Sequence, residues 1–517
     1  MKKYYKQLFL LFLCFLVVLG ACSNNEENEG ETTSDEGGEF FFGLDDEPNS
    51  LEPETIDSTS SRTVKLAIYR GLFGHEEGEV TPELVDSYDT NDDKTSYTFK
   101  LKDAKFHNGD EVTADDVKYT FDRILSDDSK ADFKDELSVI DDIEIVDDKT
   151  VKFNLEETYA PFLDYLALPE SVIVSEEWTE EHDLQTEPMG AGPFKFENWN
   201  QGRNLVVKKN KDYYKEEKPK LDEIEFSFYT EDDTRINALK SEDVDLISSV
   251  PTKSFEEIEN EPNLKTDKTV GPFMGLMFNT HFEPFEDPKV RQAVAYAIDR
   301  EAVINTAFDG EGEQINGVPI LENSLGYKKE YTDYYHQDLE KAKDLLDEAG
   351  YPDGFEATLL ASSDYSMHEQ TAVAVQDALK KVDIDIELEL PDWATRSDLT
   401  SDGDYDFVVT GTSADIMDPD WLTSYIEGGE PSLNTSAYFD DDEINKLLKK
   451  GRKEEDEEKR EEIYGELYER TLEQSPFVFI NWRTETYGMT EDVEGFENFE
   501  GFMSFQSGIT LEDTYVE

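Results

Sequence analysis

Carboxylates dominate the reactive side chains of this sequence: 123 Asp and Glu stand against six His and two Cys. A carboxylate pair can serve as the acid and base of a glycosidase. At this density, though, two acidic residues close in sequence say nothing about a shared site. The histidines, His75, His107, His182, His281, His336 and His368, are scattered. None forms the H-E-x-x-H pair that puts two zinc ligands on one helical face. No G-x-S-x-G turn presents a serine nucleophile. The stretch Pro188-Met189-Gly190-Ala191-Gly192-Pro193 lacks both G-x-G-x-x-G spacing and a following Gly-Lys-Ser/Thr, so it reads as a turn and not a phosphate cradle. No catalytic residue, metal site or cofactor is expected, and binding fits this inventory better than catalysis.

The two cysteines stand near the N-terminus. Lys2, Lys3 and Lys6 precede an apolar run over residues 8–19. At 1.5 Å per residue that run is about 18 Å long, short of the roughly 30 Å of a hydrocarbon layer, and it reads as an export signal. Leu19-Gly20-Ala21-Cys22 follows and resembles a bacterial lipobox, with Cys22 the lipid acceptor. Residues 1–21 are then the signal peptide. Residues 22–38, rich in Ser, Asn, Gly and carboxylates, form a flexible tether. With Cys14 removed and Cys22 lipidated, no thiol or disulfide remains for the folded part.

With 48 Lys and Arg, the formal net charge is −75. Such a surface repels polyanions, which excludes nucleic acid as a partner. Yet 37% of the 517 residues are hydrophobic and 12% aromatic, too many for a disordered acidic chain. Acidic runs such as residues 440–443 and 454–458 are spread along the chain and mark solvated faces. Self-repulsion on this scale is relieved by salt, and a salt-rich working environment fits it. The protein's melting temperature should therefore rise from low to molar salt, and a flat profile in a thermal scan refutes this.

The elements that must position any site alternate between strands and helices. Residues 39–44, with Phe40, Phe41 and Phe42, read as a buried strand, and residues 63–72 as a short helix. Residues 96–101 alternate as a strand, and Thr113 opens a helix with a capping box to Asp116. Further on, a helix is expected over 289–308, strands over 275–279 and 384–390, a helix near 393–399, and a strand over 406–410. A helix over 455–474 and a strand over 477–481 follow. This alternation argues for an α/β chain with mixed or parallel sheets in at least two units.

Several blocks, in order, resemble one family, the extracytoplasmic solute-binding proteins of peptide and nickel ABC transporters (oligopeptide/dipeptide-binding family 5). They include Asn49-Ser50-Leu51-Glu52-Pro53, Ile68-Tyr69-Arg70-Gly71-Leu72-Phe73 and Ala104-Lys105-Phe106-His107-Asn108-Gly109. Gly190-Ala191-Gly192-Pro193-Phe194, Asn210-Lys211-Asp212-Tyr213-Tyr214, Val290-Arg291-Gln292-Ala293 and Ala349-Gly350-Tyr351-Pro352 continue the series. The resemblance implies a two-lobed class II periplasmic-binding-protein fold with an additional domain on the N-terminal lobe. Mapped here, the first lobe takes residues 39–80, 185–270 and 476–517, the additional domain 81–184, and the second lobe 271–475.

The resemblance also implies a site. In oligopeptide-binding members an Asp in a Gly-x-x-Ala-Asp segment pairs with the ligand's α-ammonium. The matching stretch is Gly411-Thr412-Ser413-Ala414-Asp415. A buried Asp415 suits that task, and a turn or helix-cap role before Pro419 is the plainer alternative. Gly411 and Ser413 would act through backbone groups, Thr59 would face them from the first lobe, and Trp393 would line the pocket, unless it is a core helix residue. Some peptide binders carry arginines for a ligand carboxylate where Thr400 and Val409 stand, and a Trp where Thr412 stands; all three are missing. Arg396 and His368 are candidate substitutes, although an exposed salt bridge would explain either. The implied function is capture of oligopeptides for an ABC permease by a monomer lipid-anchored on the outer face of the cytoplasmic membrane. A nickel-chelate, glutathione or oligosaccharide receptor of the same fold is the alternative, and a secreted carbohydrate hydrolase is the remote one.

Overall fold

The computed structural model describes residues 37–55, 58–76, 79–131 and 133–517. Cys22, the expected signal and nearly all of the expected tether lie outside the described residues.

Local signals account for most element starts. Strand Glu39–Leu44 buries Phe40 and Phe42 completely, as period two requires. The first helix spans Thr59–Ile68, earlier than expected, because the Ser58 side chain caps it by accepting from the Ser61 backbone N–H. Helix Ala114–Ile124 opens with the reciprocal Thr113–Asp116 capping box. The single helix expected over 289–308 is two, Pro288–Ala297 and Arg300–Ala307. Asp299 causes the break, its side chain accepting from the Ala302 N–H and starting a helix of its own.

Eleven strands build one mixed sheet. At its centre two long strands, Leu264–Phe278 and Phe477–Thr490, run antiparallel. Their pairing register breaks between Val270 and Phe273. Gly271 and Pro272 occupy that break, where proline has no N–H for the ladder and a Cβ on Gly271 would lie 2.3 Å from Glu485 Cγ. On one side of the break, residues 264–270 pair with 484–490, and the sheet continues through Leu246–Ile247 into Glu39–Leu44, Glu223–Phe228, Asn204–Lys209 and Phe194–Asn200. On the other, residues 273–277 pair with 477–482, and the sheet continues through Phe407–Thr412, Phe355–Leu360 and Ile384–Glu389. Two α/β halves joined by crossing strands are the class II binding-protein arrangement. The returning strand stays with the second half as far as Trp482, past the crossing expected at residue 476.

Strands Val85–Thr90, Ser96–Leu101, Thr150–Leu155 and Ile140–Asp147 form a separate antiparallel sheet in that order. Phe121 of helix Ala114–Ile124 packs edge-on against Phe153 there, with ring centres 5.1 Å apart. Polar contacts tie this unit to the second half. Lys94 Nζ lies 2.6 Å from Glu455 Oε2, and the Ala160 N–H donates to the Arg452 carbonyl at 2.7 Å.

Candidate ligand-binding site

The first helix, the small-sheet unit and the segment after strand Phe407–Thr412 converge on a cavity of about 520 Å³. Asp415 enters it from the second half, and Arg62, one turn into helix Thr59–Ile68, meets it from the first. Arg62 Nη2 donates to Asp415 Oδ1 at 3.0 Å, and its Nε donates to Glu170 Oε1 at 2.6 Å. The Phe505 ring lies against the guanidinium, 4.7 Å from Cζ to the ring centre. Burial disfavours the Arg62 charge, but Glu170 and Asp415 more than offset it and hold its proton above the ordinary range. Glu170 is fully buried, and its Oε2 has no partner. Burial pushes its carboxyl up, and Arg62 pulls it back. Glu136 also lines the cavity, its carboxyl raised by burial and then by Asp135 and Asp415.

With two carboxylates on the Arg62 guanidinium and a third, Glu136, elsewhere in the lining, the cavity is short of positive charge. A primary ammonium fits this deficit, since it supplies three donors and a positive charge beside Asp415 and Glu136. Asp415 is half-exposed, with 50% of its side chain accessible. It was expected to be buried; being half-exposed, it is open to a ligand but keeps hydration that binding must displace. The helix-cap role belongs to another residue, Asp418, whose side chain accepts from the Asp420 N–H.

Ser413 lines the same cavity, but its carbonyl already accepts from the Tyr425 hydroxyl. Gly411 is placed elsewhere: it pairs with Met274 in the sheet, and a Cβ on it would come 2.6 Å from Met274 Sδ. Close packing, not ligand contact, requires that glycine. Thr59 is the first residue of its helix and does not line the cavity; Arg62 does. Trp393 is neither core nor at this cavity. It is 37% exposed at the start of helix Trp393–Asp402, beside Tyr365 and His368. Arg396 is 1% exposed, which removes the surface salt bridge as its explanation. Among the described residues, no group of three or more His, Cys, Asp or Glu is placed to hold a metal ion. None of their helices is long and apolar enough to cross a membrane.

The family model of bacterial extracellular solute-binding proteins, family 5, matches residues 79–434. The chain belongs to this family. Family 5 proteins are the extracytoplasmic solute-binding components of ABC importers, and the relatives found here are named as binding proteins, not enzymes. The glutathione-binding protein GsiB of Pectobacterium atrosepticum is 30% identical over 446 residues, covering 83% of this chain and 86% of that one. The solved structure of the binding protein AgaA from A. tumefaciens R10, in complex with agropinic acid, is 48% identical with a TM-score of 0.83, covering 93% of this chain and 99% of that one. The periplasmic binding protein DppA of Helicobacter pylori, in complex with the peptide STSA, is 27% identical with a TM-score of 0.79, covering 93% and 98%.

Arg62, Glu170 and Glu136 were not singled out from the sequence. Arg62 and Asp415 are 353 positions apart, and a lone arginine after four hydroxyl residues carries no local sign of its partner. One family block ends at Pro53 and the next begins at Ile68, so Arg62 falls between them.

Proposed function

We propose that this chain is the lipid-anchored receptor of an ABC importer and that it captures short peptides by their α-ammonium at Asp415. The observation that carries the reading is the cavity's charge: Asp415 and Glu136 line it with Arg62 as the one cation among the described residues, and Arg62 is already paired with Asp415 and with the buried Glu170 behind it. Its volume of about 520 Å³ lies in the range that encloses a small ligand, not a long chain. Cys22 anchors the protein through lipid, and residues 22–38 hold the body away from the membrane. Support also comes from the relatives, whose named ligands are glutathione, a tetrapeptide and agropinic acid.

The test is native mass spectrometry of the purified protein, followed by release and identification of whatever co-purifies. A ladder of short peptides supports the reading, and the intact mass of membrane-extracted protein should show lipid on Cys22. A single non-peptide mass, a metal chelate or a sugar overturns the peptide assignment. Two relatives favour a second reading, a receptor for one small carboxylic acid such as glutathione; a single mass of that kind would establish it.

A further inference from the structure

The small-sheet unit and the second half meet along a seam whose two sides differ in the sign of their charge. Helix Asp442–Lys453 ends in Lys449-Lys450-Gly451-Arg452-Lys453, four cations in five residues of a chain with net charge −75. A cavity of about 610 Å³ lies at this end. Glu136, Glu156 and Glu157 line it from the small-sheet unit, and Lys449, Arg452 and Lys453 line it from the helix. Glu136 and Tyr165 also line the amine cavity, so the two spaces adjoin. The small-sheet unit is itself fastened to the first half, where Lys195 Nζ donates to the His107 carbonyl at 3.0 Å and Arg123 lies 2.8 Å from Glu52.

Glu157 and Lys453, both half-exposed, pair across the seam. The Ala160 N–H donates to the Arg452 carbonyl at 2.7 Å. That carbonyl lies in the last turn of its helix, where no intrahelical N–H reaches it. The Arg452 side chain is fixed within the second half, its Nε donating to Asp420 Oδ1 at 2.7 Å and its Nη2 to Glu427 Oε2 at 3.0 Å. Lys94 Nζ, from the turn between two strands of the small sheet, lies 2.6 Å from Glu455 Oε2. Lys94 has a φ of +46°, in the left-handed region that a residue with a Cβ seldom enters. Asn91 pins that turn, its Oδ1 accepting from the Thr95 and Ser96 N–H groups at 2.9 and 3.1 Å. A strained residue held against a partner in the other half points to a role in joining the two.

Lys94, Glu157, Ala160, Arg452, Lys453 and Glu455 do not line the amine cavity, so their contacts need no ligand. We propose that the small-sheet unit is a clasp, which holds the two halves shut over the cavity by gripping the basic end of helix Asp442–Lys453, and that ionic strength sets its grip. Exposed ion pairs are weak singly and are screened by salt. Salt, which relieves repulsion over the chain as a whole, therefore loosens this seam and favours opening of the cleft. The clasp acts whatever the cavity binds, and it does not rest on the amine site at Asp415.

Hydrogen exchange resolved to the Ala160 amide, in the full-length protein in detergent, reads the seam without any added ligand. The wild-type amide should be protected at low salt and exchange faster at molar salt. Lys94→Gln with Glu157→Gln should speed its exchange about threefold to tenfold at low salt and remove most of the salt dependence. Amides of strand Ser96–Leu101, inside the small sheet, should keep their wild-type rates. The radius of gyration from neutron scattering, with the detergent matched out, should rise in the same variant. An unprotected Ala160 amide in wild type, or equal rates in wild type and variant, overturns the proposal. Faster exchange at Ala160 with an unchanged radius of gyration also overturns it, because the seam is then a local tie. Faster exchange through strand Ser96–Leu101 does the same, because the unit is then unfolding rather than letting go.

Discussion

Asp415→Asn should lose most of the ligand that co-purifies with the wild-type protein, with affinity falling about 30- to 150-fold, or about 2–3 kcal/mol. The figure sits at the low end for a broken charge pair because half of the Asp415 side chain is accessible. The fold should survive, since Glu170 still holds Arg62 Nε at 2.6 Å when the Asp415 charge is gone. That retained pairing gives the experiment its discrimination. If Asp415 serves only as a partner of Arg62, the substitution shifts stability and leaves affinity alone. Titration calorimetry with the released ligand, beside a thermal melt of each protein, separates the two, and unchanged affinity sinks the amine assignment.

Glu512→Ala should cost about 3–5 kcal/mol of stability, the usual loss when one partner of a buried ion network is removed. Glu512 is 4% exposed and takes Arg70 at 2.7 Å, Lys215 at 2.8 Å, Lys218 at 2.9 Å and the Tyr213 hydroxyl at 2.7 Å. Burial alone would raise its carboxyl. Arg70, then Lys215 and Lys218, more than offset this and hold it well below the ordinary 4.5. A depressed carboxylate contributes stability that is fully present above about pH 4.5 and lost as pH falls toward its folded value. Wild type should therefore lose stability steeply below pH 4.5, and the variant, already missing that contribution, should lose less over the same interval. Denaturant unfolding of both proteins from pH 7 to pH 3 checks this; parallel curves would refute it.

Local chemistry was legible in the chain itself. The alternation of Phe40 and Phe42, the Thr113–Asp116 capping box and the spacing of strands and helices depend on neighbours within a few residues, so they could be read in order. The ordered motif blocks carried the family, and the Gly411–Asp415 stretch pointed to the aspartate that enters the cavity. Where two local signals compete, as at Asp299 in the middle of an apolar stripe, the sequence reading erred by joining two helices.

Everything that depended on which charge meets which was decided by the tertiary structure. With 123 acidic and 48 basic side chains, composition leaves every arginine an excess of candidate partners. Only packing brings Arg62 to Asp415 and Glu170, and only packing leaves the buried Nε of Arg396 without a partner. The same holds for the crossing strands, whose length follows from pairing between residues more than 200 positions apart, such as Leu264 with Thr490. Periodicity is a property of adjacent residues and survives in one dimension. Burial and charge pairing are properties of distance in space, and the free energy of each ion pair turns on a few ångströms and on the water excluded around it.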